Sequence, residues 1–174
     1  MLPTIETARL SLRPVNAALI DALVLGDRAA FGALLGGELP PGDRFPPLTQ
    51  DFFEYMRSWF TDHPGEDAWT WFGVDRARGI AVVNGGFGFG PDADGIVTLG
   101  YSTYPSEEGR GYASELAGGL VEWALAERGA PAVLATIPPA HHASIRVAER
   151  AGLVPVGTAV DAEVGEVLVF RRDR

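Results

Sequence analysis

The stretch EEGRGYASE, residues 107–115, sets Arg110 between Gly109 and Gly111 just where an apolar helical pattern begins. A glycine-flanked turn opening a helix presents several backbone N–H groups without partners, and the positive end of the helix dipole reinforces them. Phosphate oxygens are the natural occupants of such a turn. Arg110 supplies a guanidinium fork, while Tyr112 and Ala113 enter the first helical turn. Glu107 and Glu108 carry the opposite charge beside it and read most simply as solvated loop charges. Taken alone, the pattern leaves anion binding and plain helix capping both open.

A second group lies in ATIPPAHHASIRVAERAGL, residues 135–153, where His141, His142 and Ser144 fall at a helix start after two prolines. An imidazole with a reference pKa of about 6.5 is a competent base at neutral pH. Ser144 follows His141 by one helical turn, so a hydroxyl and an imidazole share one face. Adjacent histidines also suggest a metal, but the third histidine, His63, is remote and no ligand spacing joins them, so no metal site is expected. The chain has no cysteine, which removes disulfides, thiolate metal sites and a cysteine nucleophile.

The elements that must hold these groups fit one domain spanning 1–174, with 47% hydrophobic and 21% charged residues. A net charge of -9 argues against non-specific binding to nucleic acid or to an anionic membrane and favours an amine-bearing partner. The opening MLPTIETARLSLRP lacks a basic and then apolar leader pattern, and no window approaches the roughly 18 apolar residues of a membrane span, so a cytoplasmic protein is expected. Monomer and homodimer both remain open.

RLSLRP reads as a strand, followed by a helix capped by Asn16 and closed by Gly26, and a second helix from Asp27 through Leu35. GGELPPGDRFPP must be irregular. Phe52, Phe53, Met56, Trp59 and Phe60 recur at helical spacing and give an aromatic face, either core or pocket wall. AWTWFGVD, GIAVVNGGFGF and GIVTLGYSTY read as three adjacent antiparallel strands. Within them GGFGFG, 85–90, precedes no helix and the chain has no lysine, so a close backbone approach fits better than a nucleotide loop. Ala113, Leu116, Ala117, Leu120, Val121, Ala124 and Leu125 then mark one buried helical stripe.

In that order, IETARLSLRPV, DADGIVTLGYSTYP, EEGRGYASELAGGLVEWAL and ATIPPAHHASIRVAERAGL resemble the GNAT N-acetyltransferases, and among them the Rim-type branch that acetylates ribosomal-protein N-termini. The family's phosphate-loop pattern Q/R-x-x-G-x-G/A falls on Glu108, Gly111 and Ala113, with Arg110 and Tyr112 between. Its second signature, N-x-x-S-I-R-V-x-E-x-x-G-F, falls on His141, Ser144, Ile145, Arg146, Val147, Glu149, Gly152 and Leu153. The resemblance implies an α+β fold: a mixed, mostly antiparallel sheet flanked by helices and splayed between the strands 95–104 and 132–137. It implies acetyl-CoA in that cleft, with the pyrophosphate on Glu108, Gly109, Arg110, Gly111, Tyr112 and Ala113. The pantetheine would pair like an added strand with Tyr101, Ser102, Thr103 and Tyr104. Because residues three apart face opposite sides of a strand, one of Tyr101 and Tyr104 belongs to the core. His141 and Ser144 would touch the cofactor and carry the proton transfers.

Four positions depart from the pattern. Glu108 replaces Gln or Arg, His141 replaces Asn, Thr98 stands where many relatives carry a strand glutamate, and Ala148 stands where other branches carry a tyrosine. The strand base is therefore missing, which leaves open a domain that binds acyl-CoA without turnover. An α-amine of pKa 7.7 to 8.0 is roughly 10 to 20% neutral at pH 7, whereas a lysine amine near 10.4 is neutral at under roughly 0.1%. General acid-base help is worth about 10² to 10⁴ in rate, so a weakly assisted site suits the low-pKa amine. Loops 36–49 and 61–67 would shape the acceptor pocket and carry no readable code.

Overall fold

Two leucines and two caps set the first layer. In the computed structural model, which describes residues 1–42 and 44–174, Leu10 and Leu12 are fully buried in β2 (Leu10–Pro14), paired with β1 (Ile5–Glu6). Asp43, within the loop expected over 36–49, lies outside the described residues. The Asn16 side chain accepts from the Leu19 amide at 2.9 Å and starts α1 (Ala17–Leu25). Asp27 does the same for α2 (Arg28–Leu35) through Ala30 at 2.9 Å, and Gly26 and Gly36 close the two helices in the left-handed conformation. The aromatic face of α3 (Gln50–Asp62) is core: Phe53 and Met56 are fully buried, and Phe53 stacks on Phe72 with centroids 5.5 Å apart.

The three β-rich runs supply β3 (Thr70–Asp75), β4 (Ile80–Gly86) and β6 (Gly100–Thr103), which are adjacent and antiparallel as expected. They complete a sheet in the order β1-β2-β3-β4-β6. The run 95–104, however, is not one strand. Its first part, β5 (Val97–Thr98), pairs in parallel with β7 (Ala132–Ile137), and Leu99 donates to the Leu134 carbonyl at 2.8 Å before the chain crosses to β4. The second sheet runs β5-β7-β9-β8, with β8 (Val154–Asp161) and β9 (Gly165–Asp173).

Glycine explains the crossing. A Cβ on Gly85 would sit 2.7 Å from both the Gly100 carbonyl and the Leu116 side chain, so its absence lets β6 come down onto β4 and the helix beneath. Gly86 makes a similar approach, with a Cβ there only 2.2 Å from the Trp69 carbonyl. These contacts account for the first two glycines of GGFGFG, while Gly88 and Gly90 adopt φ of 63° and 117°.

Helix α4 (Tyr112–Glu122) continues into a π-helical turn, Trp123–Glu127, and buries Leu116, Ala117, Leu120, Val121, Ala124 and Leu125. It packs with Leu10, Leu12, Trp71 and Val83. The second core holds Leu19, Phe31, Phe53, Phe72 and Tyr104. Helix α5 (His142–Arg150) follows β7 and so stands beside the split between the sheets.

Candidate active site

Beyond Leu99 the strands β6 and β7 have no hydrogen bonds to each other, and a cleft of about 620 Å³ opens beside β6. One wall is Tyr101, Ser102 and Thr103, another the turn at Glu108, Gly109 and Gly111 with the first turn of α4, a third α5, and a fourth the loop Pro47–Thr49. A second cavity of about 140 Å³ lies at the throat, between Leu99–Tyr101 and Ala135–Pro138. Tyr101, His141 and Ser144 line both.

The glycine turn has the form the sequence suggests. Gly109 and Gly111 adopt φ of 73° and 79°, a left-handed region costly for other residues. Gly111 is the N-cap of α4 and no side chain caps the helix. No described residue accepts from the amides of 109 to 114, since the first α4 bond is Glu115 N–H to the Gly111 carbonyl at 3.1 Å. Five of these residues, Gly109, Gly111, Tyr112, Ala113 and Ser114, line the cleft, and their unpaired amides with the positive end of α4 make a donor set that fits phosphate oxygens.

Beneath the turn the charges are arranged differently from the expectation. Glu107 is not a solvated charge: it is buried and accepts a bidentate pair from Arg78 at 2.5 and 2.8 Å. Arg110 approaches the same carboxylate at 3.8 Å and is absent from the cleft wall. Next to this pair, buried Asp75 accepts from the Tyr112 hydroxyl at 2.5 Å and from the amides of Ala77 and Arg78. Tyr112 therefore contributes backbone to the cleft while its ring anchors the helix start. Arg9 donates to the Arg110 carbonyl at 3.0 Å, lies 4.6 Å over the Tyr112 ring, and pairs with Glu115 at 2.7 Å. The network fixes the turn from behind.

Its titrations follow from these contacts. The Arg78 hydrogen bonds hold the Glu107 carboxyl below its usual range, against the opposing effect of burial. Burial pushes the Asp75 carboxyl up, but the Tyr112 hydroxyl and two amides together outweigh it and leave it low. Burial and then Asp75 raise the Tyr112 phenol.

Of the residues expected to meet the cofactor, Tyr101, Ser102, Thr103, Glu108, Gly109, Gly111, Tyr112, Ala113, His141 and Ser144 all line the large cleft. Tyr104 does not. Its ring is fully buried in the second core, its amide bonds the Val82 carbonyl at 3.2 Å and its hydroxyl the Arg44 carbonyl at 3.1 Å. Of the two tyrosines, then, Tyr104 is the core residue. The Tyr101 hydroxyl donates to the Ser144 carbonyl at 2.7 Å, tying β6 to the start of α5, and burial raises its phenol strongly. The Ser144 hydroxyl and the exposed His141 imidazole have no partner among the described residues. Thr98 is exposed and outside both cavities.

Sequence reasoning gave no site role to Arg146 and Arg150, which line the cleft from α5; of the loop 36–49, expected to shape the acceptor pocket, Pro47–Thr49 reach the large cleft, and the Pro47 carbonyl accepts from the Ser102 hydroxyl at 2.9 Å. The i, i+4 spacing of the two arginines on the helix of Ser144 was the available signal. The other loop expected to shape the pocket, residues 61–67, reaches neither cavity.

Residues 9–154 match the family description "Acetyltransferase (GNAT) domain". The chain belongs to the GNAT family of acetyltransferases. This GNAT chain is 27% identical over 154 residues to the uncharacterised N-acetyltransferase YjdG of Bacillus subtilis, covering 86% of this chain and 89% of that protein. An acetyltransferase structure from Agrobacterium tumefaciens str. C58 is 27% identical with a TM-score of 0.64, covering 100% of this chain and 96% of that one. The ribosomal-protein-S5-alanine acetyltransferase structure from Vibrio fischeri shares the fold, at 15% identity and a TM-score of 0.66, over 99% and 97% of the two chains. The protein is a GNAT N-acetyltransferase that depends on acyl-CoA, and the family implies acetyl-CoA as co-substrate with an amine as acceptor. Among the described residues no helix is long and apolar enough to cross a membrane.

Proposed function

We propose that this GNAT enzyme moves the acetyl group of acetyl-CoA directly to a primary amine of low pKa, a peptide α-amine above all, in a ternary complex. One observation carries the reading: Tyr101, His141 and Ser144 stand between the two cavities, so a thioester lying in the large one and an amine entering the small one meet at these side chains. The amide wall at 109 to 114 fits the pyrophosphate, and the free edge of β6 fits an extended pantetheine.

In the transfer, the amine nitrogen attacks the thioester carbonyl, a C–N bond forms and the C–S bond breaks. His141, or a water it orders, takes a proton from the nitrogen. The thiolate receives one through the Ser144 hydroxyl, so the proton lost by the amine ends on the thiol. No carboxylate lines the throat, and the Glu107 carboxylate is held by Arg78. The site therefore offers an imidazole and a hydroxyl as its proton carriers, which favours amines partly neutral at pH 7. A preference for ribosomal-protein N-termini, as in the Rim-type branch, is the finer form of the same reading and rests on the motif resemblance.

The test is thiol release from acetyl-CoA by the purified chain against peptides, polyamines, aminoglycosides and amino acids. Turnover with free α-amines is expected. Acetylation confined to lysine side chains, with α-amines inert, would overturn the acceptor assignment.

A further inference from the structure

The chain has 14 basic residues, all arginine. Arg9, Arg57, Arg76, Arg78, Arg110, Arg171 and Arg172 pair with carboxylates. Arg13, Arg28 and Arg174 donate to backbone carbonyls, and Arg44 and Arg128 lie over aromatic rings. The remaining two, Arg146 and Arg150, have no partner among the described residues, and both line the large cleft. In a protein of net charge -9, the two guanidinium groups with no carboxylate, carbonyl or ring partner among the described residues both stand at the cleft.

We propose that Arg146 and Arg150 form the seat of the 3′-phosphate on the ribose of the acyl-CoA, an inference that rests on the acetyl-CoA reading above. The opposite wall already offers the pyrophosphate the unpaired amides of Gly109 and of residues 111–114 with the positive end of α4, and it adds the negative charge of Glu108. A terminal phosphomonoester carries close to two further charges at neutral pH and is not served by that wall. Two guanidinium forks one helical turn apart, with Cβ atoms about 5–6 Å from each other, match it in charge and in reach. Helix α5 leads away from the throat at His141 and Ser144. Arg150 lies six residues past Ser144, about 9 Å along the axis, on the side where the nucleotide end must lie when the thioester is at the throat. Arg110, the cation the motif offers, is turned to Glu107 and leaves this task open.

The experiment is calorimetric titration of the full chain with CoA and with 3′-dephospho-CoA, for the wild type, Arg146→Ala, Arg150→Ala and the double variant. Arg57→Ala, on the surface and paired with Asp21, controls for the general loss of one charge. The wild type should prefer CoA by about tenfold to a hundredfold, the range for charge-assisted bonds. The double variant should bind both ligands alike, with the affinity for dephospho-CoA unchanged. No preference in the wild type overturns the seat, as does an equal loss for both ligands in the variants, which would assign the arginines to the pyrophosphate. Failure of the wild type to bind either ligand would instead overturn the acetyl-CoA reading itself.

Discussion

Replacing Glu107 by Gln keeps the side-chain shape beneath the phosphate turn and removes the charge that Arg78 grips. Breaking a fully buried ion pair from one side costs about 3–5 kcal/mol, because the other charge is left without compensation. Here the Glu107 side chain is 5% exposed but that of Arg78 is 34% exposed, so water takes up part of the loss. A cost of roughly 1–3 kcal/mol at pH 7 is expected. The pH dependence separates this cause from mere repacking. Arg78 holds the folded-state carboxyl below its usual range, so its contribution is fully present above the unfolded value of about 4.3 and fades as pH falls through the folded one. Glu115 is also held low, but it titrates in both proteins and cancels in the difference, whereas Asp75 repels Glu107 and is attracted by Arg78, so its smaller change travels with the same pair. Urea unfolding of both proteins at pH 7, 5, 4 and 3 should show a gap that is largest at neutral pH and closes in acid. A gap that keeps its size down to pH 3 would refute the ion-pair argument.

Gly111→Asp should weaken CoA binding in calorimetry far more than Arg110→Ala, since it sets a carboxylate among the amides while Arg110 stands outside the cleft wall; normal binding by Gly111→Asp would remove the turn from the site. The rate with α-amine substrates should rise with pH as the amine deprotonates, and a flat profile from pH 6 to 9 contradicts direct attack by the neutral amine. Ser144→Ala and His141→Ala should each lower kcat by about 10² or more, the scale of general acid-base assistance. An unchanged kcat for Ser144→Ala, with only the acetyl-CoA KM moved in His141→Ala, would leave both as binding groups. Gly86→Ala should unfold at lower temperature than the wild type, because its Cβ would meet the Trp69 carbonyl at 2.2 Å; an unchanged Tm shows that the strand can shift.

What the sequence made legible was local. Asn16, Asp27 and Gly26 cap their helices as expected, because a cap is decided by residues within one turn of each other. Glu108, Gly111, Ala113, His141 and Ser144 of the two signatures line the cleft for the same reason, since each signature sits inside one turn and one helix. Glu107 was misread because its partner, Arg78, lies 29 residues away across the fold. The two glutamates are alike in sequence, yet one is buried and the other exposed. The division of 95–104 between two sheets was equally hidden, since Val97 and Leu99 alternate as in any continuous strand and the glycine that draws β6 aside, Gly85, belongs to another element.

That division is also what makes a site. Had Gly100–Thr103 continued alongside β7, its outer hydrogen-bonding edge would be consumed by the second sheet and no gap would separate it from α5. Because the chain leaves β7 after Leu99, the edge of β6 stays free and Tyr101 reaches across to the Ser144 carbonyl. This bond sets the start of α5 at the throat, where the Ser144 hydroxyl and the His141 imidazole remain unpartnered among the described residues. The same helix then carries Arg146 and Arg150 along the cleft. The two unpartnered groups at the throat and the two arginines along the cleft are thus placed by one short helix, whose surroundings depend on a glycine in β4 that lines neither cavity.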